Sequence, residues 1–232
     1  MSVKLVVFDM AGTTVYDDNN VADTLQFALA SFGVPVTIDE INIVMGYPKP
    51  TAIEKLLQMH SNRDVTAEIV KDVHQVFLDR MISFYKTSPA IHEKEGVAET
   101  FRRLKERGIK IAIDSGFSRD IMDVIIDRMG WQTDALIDFS VASDEVENGR
   151  PYPDLIFKAM KELGIEHGDE VVKVGDTISD LQEGMAAGCC YVIGITTGAY
   201  TKDELSKSES THLIENIIDV VDIVLNDISV SV

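Results

Sequence analysis

The sequence predicts an α/β fold: a doubly wound parallel sheet, with an α-helical segment inserted after the first strand. Short apolar runs rich in β-branched residues recur along the chain, and helical patterns separate them. Strands that alternate with helices form right-handed βαβ units, so the sheet should be parallel and covered on both faces. Residues 20 to 88, by contrast, contain only helical patterns. This stretch is too long for a single crossover connection, which predicts an inserted helical domain.

The individual elements follow from the same patterns. The predicted strands are 5–8, 110–113, 135–137, 171–174 and 191–193. The helices that separate the later strands are predicted at about 96–107, 118–129, 153–163 and 178–187. The inserted segment contains three or four helices, over 21–32, 38–45, 51–59 and 65–85, and an amphipathic helix over 216–226 closes the sheet. We therefore expect an α/β core formed by 1–16 and 89–232, and a helical domain formed by 17–88.

Composition and charge indicate a soluble globular protein and exclude two classes of partner. Apolar residues make up 45% and charged residues 26% of the 232 residues. The net charge is −18, so neither nucleic acid nor an anionic membrane surface is an expected partner. Cys189 and Cys190 are adjacent, a spacing that disfavours a disulfide. Together with the lack of a secretory or membrane-spanning pattern, these cysteines predict a cytoplasmic protein.

Reactive side chains follow several predicted strands at the point where each strand ends. Asp9 follows the first strand, Ser115 the second, and Asp176 and Asp180 the fourth, while Arg150 precedes a later helix. The carboxyl ends of parallel strands meet at one edge of the sheet, where such folds bind ligands, so these side chains should lie together. Clustered carboxylates repel one another unless a hard cation lies between them. The pattern therefore favours a metal ion among these carboxylates, at the edge of the sheet where a ligand would bind.

This order of motifs resembles the haloacid dehalogenase superfamily of phosphotransfer hydrolases, over essentially the whole chain. The resemblance implies that Asp9 attacks phosphorus and forms an aspartyl-phosphate. It also implies that Ser115 and Arg150 bind the phosphoryl oxygens, with Arg150 standing where most relatives have Lys. The implied cofactor is Mg²⁺, with the ligands Asp9, Ala11, Asp176 and Asp180. The implied substrate contacts are Ala11, Gly12, Thr13, Met45, Gly46 and Gly116. The inserted helices match the cap domain that closes over the site in this superfamily.

Two details resemble the phosphonatases, the phosphonoacetaldehyde hydrolases of that superfamily. In phosphatases the residue two after the nucleophile is normally an Asp that protonates the leaving group, but here it is Ala11. Such an acid contributes roughly 10²–10⁴-fold. The stretch from Met45 to Lys49 matches the one whose lysine forms a Schiff base with an aldehyde substrate in phosphonatases. An iminium accepts the electrons of a broken carbon–phosphorus bond, so that reaction needs no acid at position 11.

Two other interpretations stay open at this point. In the first, Lys49 only binds the substrate, and the protein is a phosphate-monoester phosphatase acting on a small phosphorylated metabolite such as a sugar phosphate or phosphoglycolate. In the second, it is a non-catalytic binding protein of the same fold. Three positions depart from the phosphonatase pattern, because its Cys, His and Tyr correspond to Asn19, Ala52 and Phe117. Relatives also imply a homodimer formed through the cap helices.

Overall fold

The computed structural model describes residues 3–61 and 64–226, and a six-stranded parallel sheet forms its centre. The strands are β1 (Leu5–Phe8), β2 (Lys110–Ser115), β3 (Phe139–Ala142), β4 (Val171–Gly175), β5 (Tyr191–Ile195) and β6 (His212–Ile214). Their order in the sheet is β3-β2-β1-β4-β5-β6. The strand order reverses at β1, so the carboxyl end of β1 lies at the switch point where such sheets bind ligands.

Helices occupy the connections and the insertion. Between β1 and β2 lie α1 (Asn20–Ser31), α2 (Ile38–Asn42), α3 (Lys49–His60) and α4 (Ala67–Thr87), which we call the helical insert, followed by α5 (Val97–Lys105). The remaining helices are α6 (Arg119–Met129), α7 (Asp154–Leu163), α8 (Ile178–Ala186), α9 (Lys202–Leu205) and α10 (Asp219–Asn226). The predicted fold class, an α/β sheet with a helical insertion, is therefore confirmed. Within the described ranges, no helix is both long and apolar enough to cross a membrane.

Strand β1 shows why the sheet is covered on both faces. All four of its residues are apolar and buried. On one face, the ring of Phe8 lies 5.0 Å from that of Phe101 in α5, measured between centroids. On the other face, Val7 shares a buried cluster with Ile156 of α7. A strand that is buried on both sides needs an unbroken apolar run, which is what this sequence provides.

The strand predicted over 135–137 is wrong. Ala135 has a left-handed backbone conformation, with φ of 51°, so the chain turns there and the strand begins only at Phe139. Leu136 and Ile137 are nevertheless buried. Their apolar character reflects packing from a turn into the core, and periodicity over three residues cannot distinguish that from a strand.

The second helix of the insert is shorter than the predicted 38–45 and ends at Asn42. Gly46 lies in the loop that follows, with φ of 84°. A Cβ at Gly46 would lie 2.0 Å from Oγ of Ser179, at the start of α8. Only glycine permits this conformation and this close approach, so the loop places the backbone of the insert directly against the sheet domain. The short elements α9 and β6 were not predicted, because four and three residues carry too little periodicity.

Candidate active site

Asp9 lies immediately after β1, at the centre of the carboxyl-end edge of the sheet. Its backbone N–H donates to the carbonyl of Val174 at 3.0 Å, which fixes where the side chain leaves the backbone. The residue is only 5% exposed, and its Oδ1 lies 2.6 Å from Nη1 of Arg150. Burial raises the pKa of Asp9 to about 6, although the Arg150 guanidinium acts in the opposite direction.

Asp176, in the loop after β4, is held by groups from two other loops. Thr13 Oγ1 donates to its Oδ1 at 3.0 Å, and the backbone N–H of Ala199 donates to its Oδ2 at 2.6 Å. A Cβ at either Gly12 or Gly198 would lie 2.1 Å from the same Oδ2. These two glycines therefore let the backbone close around the carboxylate, which leaves it little freedom to move.

Asp9, Asp176 and Asp180 form a buried carboxylate cluster that fits a divalent cation. One oxygen from each residue lies within 4.8 Å of the others. Burial, followed by the negative charge of Asp9, raises the pKa of Asp176 to about 8, so the cluster is electrostatically unfavourable by itself. Carboxylate oxygens are the ligands that Mg²⁺ prefers, and a cation among them would offset their repulsion.

Arg150 joins this cluster to a second group of acids. Its ion pairs are with Asp9 at 2.6 Å, Asp180 at 2.8 Å, Glu183 at 3.0 Å, and Asp114. The planar guanidinium carries five donors, so it can serve several carboxylates at once. Burial acts to lower the pKa of Arg150, but the surrounding carboxylates outweigh it and hold the pKa well above its usual range. Arg150 is therefore a permanent cation beside Asp9.

The second acidic group is neutralised by Lys173, a residue that the sequence analysis did not single out. Lys173 Nζ lies 2.5 and 2.6 Å from the two carboxylate oxygens of Asp114, and 3.0 Å from Oε2 of Glu183. All three side chains are completely buried. A sequence signal for Lys173 did exist, because a lysine within the apolar strand β4 requires buried acidic partners. Nothing in the sequence pattern identified Asp114 and Glu183 as those partners.

Ser115 ends strand β2 and is 3% exposed. Its Oγ accepts a hydrogen bond from the backbone N–H of Phe117 at 3.1 Å, which orients the hydroxyl. The carbonyl of the intervening Gly116 accepts the backbone N–H of Lys49 at 3.3 Å. The loop after β2 therefore contacts the helical insert directly.

Lys49 opens helix α3 and brings a buried amine from the insert to the sheet edge. The residue is 4% exposed. Its Nζ lies 3.5 Å from the carbonyl of Tyr47 and 5.3 Å from the centroid of the Phe117 ring. Burial lowers the pKa of Lys49 to about 8, while the carboxylate of Asp9 acts to raise it. A substantial fraction of this amine is therefore neutral near physiological pH.

The predicted residues surround one cavity of about 30 Å³. Nine of the predicted site residues line it, namely Asp9, Ala11, Met45, Gly46, Lys49, Ser115, Gly116, Arg150 and Asp176. Gly12, Thr13 and Asp180 lie behind these walls: the first two hold Asp176, and Asp180 pairs with Arg150. Asp180 also accepts the backbone N–H of Thr177 at 3.1 Å, so it caps α8 as well.

Of the three positions that depart from the phosphonatase pattern, two lie close to Lys49. Phe117 lines the cavity below the amine, and Ala52 is buried one turn along α3. Asn19 precedes α1 in a left-handed conformation, and its side chain does not cap the helix. Asp17, the first residue of the predicted helical domain, also lines the cavity. Burial raises the pKa of its carboxyl group.

Comparisons with known proteins agree with this arrangement. A family model described as haloacid dehalogenase-like hydrolase matches residues 3–188. The chain is 32% identical to phosphonoacetaldehyde hydrolase of Bacillus cereus strain G9842, and 31% identical to that of strain B4264; each alignment covers 94% of this chain and 86% of the relative.

A crystal structure of a phosphonoacetaldehyde hydrolase like protein from Oleispira antarctica shares the fold. Its TM-score is 0.83 at 20% sequence identity, and the superposition covers 100% of this chain and 96% of the other. At that level of identity the likeness concerns the fold alone.

Proposed function

This chain belongs to the haloacid dehalogenase-like hydrolases, and from that premise we propose that it cleaves the carbon–phosphorus bond of a small phosphonate of the phosphonoacetaldehyde type. The observation that carries the proposal is the buried Lys49 amine, which faces the same cavity as Asp9 and has a pKa of about 8. A phosphatase needs only a cation at this position. A neutral amine, in contrast, can attack an aldehyde.

In the proposed reaction, Lys49 acts at one end of the cavity, the amine end, and Asp9 acts at the other, the phosphoryl end. Lys49 attacks the aldehyde carbon and releases water, which leaves a protonated imine. The Asp9 carboxylate then attacks phosphorus, and the electrons of the carbon–phosphorus bond move into the iminium to give an enamine and an aspartyl-phosphate. Water hydrolyses the enamine to acetaldehyde and free Lys49, and hydrolyses the aspartyl-phosphate to inorganic phosphate. In this scheme the leaving group is a carbon atom, so the absence of an acid at Ala11 carries no penalty.

Charge compensation at the phosphoryl end comes from Ser115, Arg150 and a metal ion. We propose Mg²⁺, held by Asp9, Asp176 and the Ala11 carbonyl, with Asp180 in support; when bound it would offset the charge of the carboxylates and the phosphoryl oxygens. The cation of Arg150 lies 2.6 Å from Asp9 Oδ1, where the phosphoryl group would bind. The Ser115 hydroxyl supplies a neutral donor at the same end.

The helical insert serves as the cap domain in this proposal, with the cap formed by 17–88 and the core by 1–16 and 89–232. Residues 1, 2, 62, 63 and 227–232 of these domains lie outside the described residues. A cavity of about 30 Å³ holds little more than two water molecules, so substrate entry requires the cap to move. Met45 lines both this cavity and a groove of about 300 Å³ between insert and core, which supports entry along that interface.

A substrate screen in Mg²⁺ tests the proposal. We expect phosphonoacetaldehyde to yield acetaldehyde and phosphate faster than any member of a panel of small phosphate esters is hydrolysed. Lys49→Arg keeps the charge but removes the nucleophile, so it should lose carbon–phosphorus cleavage and largely retain ester hydrolysis. Lys55→Arg is the matched control, because Lys55 is an exposed residue on the same helix. Wild-type activity of Lys49→Arg on every substrate would reduce Lys49 to a binding residue.

The position and the raised pKa of Asp17 favour a second candidate function, that of a phosphatase acting on a small phosphate ester. Its carboxyl group lines the cavity and has a raised pKa, so it could protonate a leaving alkoxide in place of the acid missing at Ala11. If this candidate is correct, Asp17→Asn should lower ester hydrolysis by at least tenfold. Membership in a hydrolase family removes the support for the non-catalytic binding protein considered from the sequence.

The last two parts of the proposal concern the cellular compartment and the oligomeric state. Cys189 and Cys190 are not joined by a disulfide, and the proposal keeps the expectation of a cytoplasmic protein. Phe27 of α1 is 48% exposed and offers an apolar contact for the expected homodimer through the cap. Size-exclusion chromatography of Phe27→Lys against the wild type tests this contact.

A further inference from the structure

The side chain of Lys94 joins two loops at the carboxyl-end edge of the sheet. Lys94 lies on the segment that leads from the helical insert back to α5. Its Nζ donates to the carbonyl of Gly12 at 2.7 Å, and to the carbonyl and the hydroxyl of Thr197 at 3.0 and 2.9 Å. Its backbone N–H also donates to the carbonyl of Thr14 at 2.9 Å. An ammonium group has three N–H donors, so Lys94 has a partner for each of them.

The two loops that this amine joins also hold Asp176. Gly12 immediately precedes Thr13, whose hydroxyl donates to Oδ1 of Asp176 at 3.0 Å. Thr197 lies two residues before Ala199, whose backbone N–H donates to Oδ2 of Asp176 at 2.6 Å. The amine therefore crosslinks the two loops within two residues of each contact with the carboxylate.

The sheet itself does not join these two loops, because the strands that carry them are not neighbours. One loop follows β1 and the other follows β5, and β4 lies between those strands. Asp176 follows β4, so its carboxylate lies in the gap that the two loops enclose. Lys94 reaches both loops from outside the sheet and thereby closes this gap around the carboxylate.

The acceptors of the Lys94 amine indicate that it acts by hydrogen bonding and not by neutralising an acid. All three are uncharged oxygens, two carbonyls and one hydroxyl. Burial lowers the pKa of Lys94, although the carboxylate of Asp176 acts in the opposite direction. A positive charge near a metal site repels the metal ion, so the presence of this lysine calls for a reason other than its charge.

We propose that Lys94 is a positioning residue, whose amine holds the loops after β1 and β5 in the arrangement that presents Asp176 to Mg²⁺. The inference rests on the proposed function only for the identity of the metal ion. Hydrogen bonds from the surroundings of a metal ligand fix its orientation before the metal binds. Without the amine, the loops that carry Thr13 and Ala199 would move more freely, and ordering them would use part of the binding free energy.

Calorimetric titration of Mg²⁺ into the wild type and into Lys94→Met tests the proposal. Loss of such a supporting contact should raise the Kd for Mg²⁺ about 10–100-fold. The direction of the change is informative, because removing a positive charge alone would strengthen the binding of a cation and lower the Kd. An unchanged or lower Kd in Lys94→Met would overturn the proposal.

Lys110→Met is the matched control. Lys110 Nζ also donates to a backbone carbonyl, that of Leu163, at 2.7 Å. Lys110 begins β2, however, so it lies at the edge of the sheet opposite the candidate site. Its substitution should leave the Kd for Mg²⁺ unchanged, whatever it does to Tm. An equal rise in Kd for both variants would trace the effect to a general loss of stability and would overturn the positioning role.

Hydrogen exchange in the metal-free protein separates this inference from the proposed function. Lys94→Met should speed amide exchange at least threefold in peptides covering 10–16 and 196–200, and leave peptides from β3 unchanged. If the wild type does not bind Mg²⁺, the proposed metal site fails, but exchange in these two loops still tests Lys94. Faster exchange confined to them supports the positioning of Asp176, and unchanged exchange in both loops overturns it.

Discussion

The buried Lys49 amine predicts a pH dependence that an ordinary surface lysine would not show. At pH 7 an amine with a pKa near 10.4 is only about 0.04% neutral. With the pKa at about 8, roughly 9% of Lys49 is neutral at the same pH, a gain of about two-hundredfold in the nucleophilic form. The amine loses its proton as the pH rises, so carbon–phosphorus cleavage should increase about tenfold per pH unit below 8 and level off above it.

Two measurements check this prediction. The first is kcat/KM for phosphonoacetaldehyde between pH 6 and 9, with hydrolysis of a small phosphate ester as the reference reaction. The second is irreversible inactivation by borohydride during turnover, with mass spectrometry to locate the reduced adduct on Lys49. Lys55→Arg should leave both profiles unchanged. Cleavage that does not vary from pH 6 to 9, or cleavage without any trapped adduct, would refute the assignment of Lys49 as the nucleophile for the aldehyde.

Three further predictions concern Asp9, Ala11 and Asp114. Asp9→Asn should abolish turnover while circular dichroism stays unchanged, because a carboxamide is a poor nucleophile and a weaker metal ligand; full wild-type activity in excess chelator would contradict the metal-assisted scheme. Ala11→Asp should lower carbon–phosphorus cleavage by adding negative charge beside an anionic substrate, whereas a phosphatase should gain up to roughly 10²–10⁴-fold in ester hydrolysis. Asp114→Asn leaves Lys173 with one buried carboxylate fewer and should lower the free energy of unfolding by about 3–5 kcal/mol, measured in urea. The exposed Asp123→Asn should cost less than about 1 kcal/mol, and equal losses would contradict the importance of the buried network.

The position of the candidate site could be predicted from sequence, because one rule of topology determines which edge of the sheet carries it. Asp9 and Asp176 each follow a parallel strand and Ser115 ends one, and the carboxyl ends of such strands share an edge whatever the strand order. The rule needs only the strands that carry these residues. For that reason the misplacement of β3 and the omission of β6 did not affect the predicted site.

The contacts of residues inside the strands could not be predicted in the same way, because their partners depend on strand order and register. Val7 pairs with Ala112 in β2 and with Lys173 in β4, so these three residues form one row of the sheet. Asp9 and Asp114 lie two residues further along their chains and therefore point to the same face as that row. Lys173 can reach Asp114 across β1 only because β1 lies between β2 and β4. A single sequence does not reveal that order.

The acids on the two sides of Arg150 differ in how their charge is neutralised, which indicates why the proposed reaction would occur on the side of Asp9. Lys173 neutralises Asp114 and Glu183, the second acidic group described above. Within residues 3–61 and 64–226, no lysine forms an ion pair with Asp9 or Asp176, and burial raises the pKa of both carboxyl groups. Arg150 contacts both sets of acids. Its ion pairs with Asp114 and Glu183 hold the side chain in place, while its Nη1 lies beside Asp9. The fold therefore neutralises one set of carboxylates with its own cations, and in the proposed function a metal ion beside the anionic substrate would balance the other set.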